Sequence, residues 1–140
     1  MEVLSFERTL TELDHLRLSN LVRRDRRSEA SRSPPLAIEH VLDGCAIVPS
    51  RGAPPDVVTM YSQVVLQDMG SGLRTKLTVC YPPDAEPAAG FVSVLSPVGV
   101  GLLGLRVGSV ARWLTPAGTE QAAEIVAILF QPEASGDYAM

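Results

Sequence analysis

Little in this chain points to a metal, a redox pair or a membrane. Its two cysteines, Cys45 and Cys80, stand alone with no C-x-x-C spacing. That fits two buried thiols in a reducing compartment, with a Cys45–Cys80 disulfide as the alternative. Two histidines, His15 and His40, fall in separate helical patterns without the His–carboxylate spacing of a metal site. Each reads as a helix surface or half-buried residue, and no metal or cofactor is expected. No apolar run approaches the ~18 residues of a membrane span. The opening MEVLSFERTL carries acids where a secretory leader carries basic and apolar residues. A cytoplasmic location is therefore expected. An excess of positive charge is missing too: the formal net charge is -4, which argues against a dedicated nucleic-acid binder.

What the chain does have is apolar content, 46% over 140 residues, enough for the core of one domain. Its charge is unevenly placed. From Arg17 to Arg32 there are six arginines (17, 23, 24, 26, 27 and 32) against Asp25 and Glu29. Such a cluster is a solvated face or a binding patch. Thr9-x-x-Glu12 reads as a capping box, and Leu10, Leu13, Leu16 and Leu21 follow at helical spacing. This predicts a helix over about 10–24. The polar stretch RDRRSEASRS is a connector, and Ser33-Pro34 starts a second helix carrying Leu36, Ile38, Val41 and Leu42 up to Gly44. Two helices with a short polar link predict an antiparallel hairpin, or short coiled coil, over residues 1–48. PSRGAPPD, residues 49–56, is a boundary. Strand patterns follow at 57–69, 75–81, 91–96, 109–115 and 122–130, with turns at GSG and PAG. Residues 49–140 thus predict a small antiparallel sheet with one short helix, and the class is α+β.

The stretch LSPVGVGLLGLRVGS, residues 95–109, has the glycine density of a phosphate loop. Gly99, Gly101 and Gly104 even read G-x-G-x-x-G. A dinucleotide loop, however, places that motif in the turn between a strand and a helix. Here Ser96-Pro97 precedes it, and that pair starts a helix. The serine hydroxyl accepts from an orphan N–H, and the proline presets φ where no N–H is needed. The motif then lies inside a one- to two-turn helix ended by Gly104 in the left-handed conformation. Its other glycines mark places where a second surface comes close.

Catalytic constellations are absent from the pattern. No serine has a G-x-S-x-G context, Cys80 lies in a strand pattern, and Asp84 with Glu86 sit in a proline-rich loop. Trp113, Tyr81 and Phe91 are core or the lining of an apolar groove. Bottom-up, the residues favour a binding protein over an enzyme.

SPVGVGLLGLRVGS resembles the signature S-P-x-G-x-A-L-L-G-x-x-x-G-D of the C-terminal domain of GreA and GreB, the bacterial transcript cleavage factors. Gly101 stands where that pattern has Ala, and Ser109 where it has Asp. PPDVVTMYSQV, VCYPP at 79–83 and FQPEASGDY at 130–138 narrow the resemblance to the branch of this family called regulators of nucleoside diphosphate kinase (Rnk). The similarity spans roughly residues 36–138. It implies an FKBP-like α+β domain behind a short antiparallel coiled coil, and binding to RNA polymerase at the rim of its secondary channel. Nucleic acid would be met only through the polymerase complex. The branch name also implies a link to nucleoside diphosphate kinase.

In this family the coiled coil carries an acidic Asp-x-x-Glu tip inward to help hold catalytic Mg²⁺. A ~15-residue arm reaches only ~22 Å, and arms of the cleavage factors are about twice as long. The tip here has Asp25 and Glu29 one position further apart, among Arg23, Arg24, Arg26 and Arg27. Guanidinium groups compete with a cation for carboxylates, so no stimulation of transcript cleavage is expected. The arginines are left to touch polymerase acids, phosphates or solvent. The resemblance places Ser96, Pro97, Val98, Gly99, Leu102, Leu103 and Arg106 as the candidates for polymerase contact, with core packing the alternative for the two leucines and the glycine. The implied regulator competes with Gre factors and is not an enzyme. Two rivals stand beside it: a prolyl isomerase, which needs an aromatic-lined pocket, and a generic protein-interaction module that dimerises through its helices.

Overall fold

The computed structural model of the protein describes residues 8–28, 37–115 and 117–137. Strand β1 (Thr9–Thr11) leads directly into helix α1 (Glu12–Ser28), and α2 (Ala37–Gly44) leads into β2 (Ala46–Val48). β1 and β2 pair in parallel, Leu10 opposite Ile47. The helix therefore starts two residues later than the capping pattern suggests. Thr9 is a strand residue, and the cap is Thr11, whose Oγ1 accepts from the Asp14 amide at 3.0 Å. Pairing won over propensity because Thr9–Thr11 is buried along its whole length. The proposed second start at Ser33-Pro34 and the joint between the helices lie outside the described residues. Contacts between α1 and α2 run from the start of one to the end of the other: His15 Nε2 lies 3.0 Å from the Leu42 carbonyl. His40 is exposed.

The main sheet has five strands: β3 (Gln63–Asp68), β4 (Arg74–Cys80), β5 (Phe91–Ser93), β6 (Val110–Leu114) and β7 (Glu120–Phe130). Their order is β5-β4-β3-β7-β6. The sheet is mixed, which corrects the all-antiparallel expectation: β4 and β5 run in parallel, Val79 opposite Val92. The proline-rich stretch between them, with 3₁₀ turns at Pro82–Asp84 and Pro87–Ala89, provides the crossover. β7 is long and curls through two irregularities against β3, between Gln63 and Val64 and between Val65 and Leu66; bulges of this kind increase local twist. The β3–β4 turn is held by Asp68, whose carboxylate accepts from Gly70 and Ser71 amides at 3.0 and 2.7 Å, an Asx-type device.

A second correction concerns residues 57–62, expected as the start of the first long strand. Their backbone pairs elsewhere. The Val58 amide donates to the Leu105 carbonyl at 2.9 Å, and the Gly104 amide returns to the Val58 carbonyl at 2.8 Å. Tyr61, at φ 65°, then turns the chain into β3. Short helix α3 (Pro97–Leu102) packs against β6.

One buried cluster joins the parts: Leu10, Leu18, Val22, Ile38 and Val41 pack with Val58, Val64, Val79, Val94, Leu102, Leu103 and Ile125. It crosses the boundary at 49 that the proline-rich stretch suggests. The result is a mixed α+β fold with a curled sheet and few helices. Both cysteines are free thiols. Cys80 is buried as expected, whereas Cys45 at the end of α2 is only half-buried. No described helix is long and apolar enough to cross a membrane.

Candidate partner-docking site

The glycine-rich stretch is built as its sequence suggests. Ser96 caps α3: its Oγ accepts from the Gly99 amide at 3.2 Å and donates to the Ser93 carbonyl at 2.6 Å. Pro97 occupies the first turn, and Gly104, at φ 82°, follows the helix end. Gly99 lets α3 lie on the end of β5. A Cβ there would sit 2.1 Å from the Ser93 carbonyl oxygen. At Gly101 a Cβ would stand 3.2 Å from the Arg112 carbonyl and 3.6 Å from the Trp113 ring. These are packing reasons, and they account for the G-x-G-x-x-G spacing without a phosphate.

The carbonyl end of α3 is closed by a residue far away in sequence. The Arg8 guanidinium donates to the Val100 carbonyl and, at 2.9 Å, to the Leu103 carbonyl. A cation at a helix C-terminus is favoured by the helix dipole. Burial pushes the Arg8 pKa down, and the carbonyls supply what water would. Beside it the Thr9 amide donates to the Gly104 carbonyl at 3.0 Å. Beyond α3 the chain bridges Val57 at Arg106, and Arg106 pairs with Asp56 at 3.1 Å while half-exposed.

The seven candidate contact residues therefore divide. Ser96, Pro97 and Val98 meet at the start of α3, with Pro97 exposed and the other two half-buried, and Arg106 is exposed beyond its end. Leu102 and Leu103 are 0% exposed, and Gly99 is buried. Direct contact by these three is thus corrected to a role inside the core. They fix the helix whose start and following loop face solvent. Leu102 and Leu103 belong to the central cluster because the short helix turns its apolar side onto the sheet.

Several supporting residues have no signal in the local sequence. Gln131 is buried, and its Nε2 donates to the carbonyls of Pro54 and Val57, both at 2.8 Å. This straps the loop that carries Asp56. Thr59 Oγ1 donates to Glu133 at 2.7 Å, and the Thr59 amide donates to Ser62 Oγ at 2.9 Å. Asp14, 2% exposed, accepts from the Met60 amide at 3.2 Å and so ties α1 to the same loop. Its pKa is pushed up to about 6, first by burial and further by Glu133, against hydrogen bonds from Met60 and Thr11 and the charge of Arg17. The partners lie far away in sequence, so only the folded chain brings them together.

The tip candidates divide as well. Arg23 and Arg24 are exposed on α1. Asp25, Arg26 and Arg27 belong to the same helix, and Glu29 lies outside the described residues. The aromatics do not converge. Trp113 lines a groove with Leu66, Leu73 and Leu77 on the sheet, whereas Tyr81 lines a different one against α1. Phe91, on β5, belongs to the edge strand opposite the one that carries Trp113. Asp84 is exposed and accepts from the Tyr61 hydroxyl.

Comparison with known proteins matches this architecture. The family model described as transcription elongation factor, GreA/GreB, C-term, covers residues 53–130. The chain is 37% identical over 102 residues to the regulator of nucleoside diphosphate kinase of Escherichia coli strain K12, which is 73% of this chain and 75% of that protein. It is 41% identical over 75 residues to transcription elongation factor GreA of Solidesulfovibrio magneticus, 53% of this chain and 45% of that one. Among solved structures, the GreA/GreB elongation factor from Nitrosomonas europaea superposes with a TM-score of 0.70 at 30% identity, covering 89% of this chain and 100% of the other. With its capped SPVGVG helix and its curled sheet, the chain belongs to the GreA/GreB C-terminal family of transcription elongation factors.

Proposed function

We propose that this protein is a non-catalytic regulator of transcription elongation that binds RNA polymerase at the rim of the secondary channel. It competes there with Gre factors and does not stimulate transcript cleavage. The observation that carries the reading is the start of α3, where Pro97 is exposed between half-buried Ser96 and Val98, standing on a helix whose interior is fixed by Gly99, Leu102, Leu103 and Arg8. A rigid support with a small solvent-facing tip suits docking, because little side-chain freedom is lost on binding. The FKBP-like description of residues 49–140, and a helical hairpin over 1–48 as the arm, belong to this reading. So does action in the cytoplasm.

Helix α1, with 17 residues, is ~26 Å long. That length, with Arg23 and Arg24 beside Asp25, supports an arm that enters the channel without delivering a cation-binding acidic tip. A link to nucleoside diphosphate kinase follows from the name of the Escherichia coli relative, and contact with that kinase is a separate measurement from polymerase binding.

The test is binding to core RNA polymerase with a GreA-type factor titrated in. Mutual displacement is the expected result. Arg106→Ala removes only an exposed ion pair, which contributes about 0–1 kcal/mol to the fold. It is expected to weaken binding about fivefold with an unchanged melting temperature. Transcript cleavage in stalled complexes is expected to stay at its unstimulated level. Absence of binding at tens of micromolar would remove the proposal.

A further inference from the structure

Helix α1 and the turn after β4 enclose a groove of about 380 Å³. Arg17, Asn20, Leu21 and Arg24 line one wall, and Tyr81 and Pro83 the other. The four helical positions are i, i+3, i+4 and i+7, which share one face. The Cα atoms of its two arginines stand two turns apart, ~10.5 Å along the axis, with Leu21 between them.

The opposite wall is held in place. Tyr61 packs on Tyr81 with ring centroids 5.8 Å apart, and the Tyr61 hydroxyl donates to Asp84 beside Pro83. Tyr61 itself is the one non-glycine residue at positive φ among those described. Such a conformation persists only where the surroundings over-determine it, and it clusters at binding sites. Here the Tyr61 amide donates to the Val79 carbonyl at 2.7 Å and holds the turn. The groove is therefore preformed and apolar along its floor, with Arg17 at one end beside Tyr81 and Asp14 and exposed Arg24 at the other, on a chain whose net charge is -4.

The chemistry selects the occupant. A single phosphate or a free carboxylate leaves the apolar floor of Leu21, Tyr81 and Pro83 uncovered. A helix that carries two carboxylates seven residues apart spans the same ~10.5 Å. With an apolar side chain at the third or fourth position between them, it fills the floor as well. Arginine suits this role because its planar fork binds carboxylates in bidentate fashion. We propose that the groove between α1 and the Pro82–Asp84 turn is a docking site for an acidic amphipathic helix of a partner protein, read as acid, apolar anchor, acid at i, i+3 or i+4, and i+7. This surface is distinct from the start of α3 and does not depend on polymerase binding there.

The test uses the full chain and a fluorescein-labelled alanine-based helical peptide. The peptide carries two glutamates seven residues apart with leucine between them. A matched peptide has lysines in place of the glutamates. Anisotropy is expected to show saturable, salt-sensitive binding of the glutamate peptide only, with amide NMR shifts centred on Asn20, Leu21 and Tyr81. Arg24 is exposed, so Arg24→Glu should leave the melting temperature unchanged. It should weaken the glutamate peptide about tenfold and bind the lysine peptide more tightly than the native chain does. The proposal is overturned if Arg24→Glu and the native chain bind the glutamate peptide equally, or if the shifts map elsewhere. It is equally overturned if no saturation appears by millimolar peptide, or if inorganic phosphate at equal concentration displaces the peptide, which would mark a simple anion site.

Discussion

Gly99→Ala is expected to destabilise the fold by about 3 kcal/mol, the upper range for an overpacked site. For a domain of this size that lowers the melting temperature by roughly 10 °C. The reason is local and steric. The added methyl would stand 2.1 Å from the Ser93 carbonyl oxygen and 2.9 Å from the Val94 Cα. Both are backbone atoms of the segment leaving β5, so no side-chain rotation relieves the clash. Helix α3 has to lift from the strand, and its lift carries Leu102 and Leu103 out of the core.

Two other glycines serve as controls for the same chemical change. At Gly44, the last residue of α2, nothing lies within 4 Å of an added Cβ. Alanine there removes only the conformational cost of glycine, so Gly44→Ala is expected to be neutral or to stabilise by up to about 1 kcal/mol. At Gly101 the methyl meets the Arg112 carbonyl at 3.2 Å. Helix propensity and mild crowding then oppose each other, and a change within about 1 kcal/mol is expected. Urea melts of the three variants decide the matter. Equal stability of Gly99→Ala and Gly44→Ala would show that α3 does not need its close seat on β5. The loss at Gly99 should also weaken any partner binding that uses Ser96 to Val98, since their positions depend on that seat.

Asp14→Asn is expected to stabilise the protein at pH 7.5 by about 1–3 kcal/mol and to flatten its pH dependence between pH 4 and 6. Asp14 has a folded pKa near 6 against an ordinary value of 3.8, with burial as the main cause. A raised folded pKa means that folding favours the protonated acid. The stability contribution of this group is therefore fully present below about pH 4 and is lost as the pH rises through 6. A shift of that size corresponds to about 3 kcal/mol between the two limits. Asparagine keeps an oxygen for the Met60 amide and never ionises beside Glu133.

Urea midpoints at pH 4.5 and 7.5, taken as the difference between variant and native protein, isolate Asp14 from other acids. Asp68 works in the opposite sense, because the backbone of Ser71 lowers its pKa and its contribution fades as pH falls. A variant that loses stability at pH 7.5, with the native pH slope retained, would show that the Asp14 charge holds α1 in place and does not strain it.

The two substitutions also separate what could be read along the chain from what could not. Ser96-Pro97 as a helix start and Gly104 as its left-handed end are local facts. They depend on hydrogen bonds and φ preferences within a few residues, and the structure builds them as the pattern suggests. The family resemblance rested on the same short blocks and matches the comparisons. Thr9–Thr11 failed as a helix start because its competitor, β2, lies beyond two helices. Val57–Tyr61 failed as a strand because its partner is the loop after α3. Leu102 and Leu103 looked equally fit for a core or a contact surface, since both need apolar side chains.

The amino-acid order alone was thus enough to determine the α+β class, the capped glycine helix and the family. Tertiary structure decided which glycine is sterically compulsory and which candidates face solvent. It also joined Arg8 to the end of α3, Asp14 to Met60 and Gln131 to Pro54. Those choices depend on contacts between segments far apart in the chain. Burial then sets their energies, through the cost of leaving a carbonyl, an amide or a carboxylate without a partner in the interior.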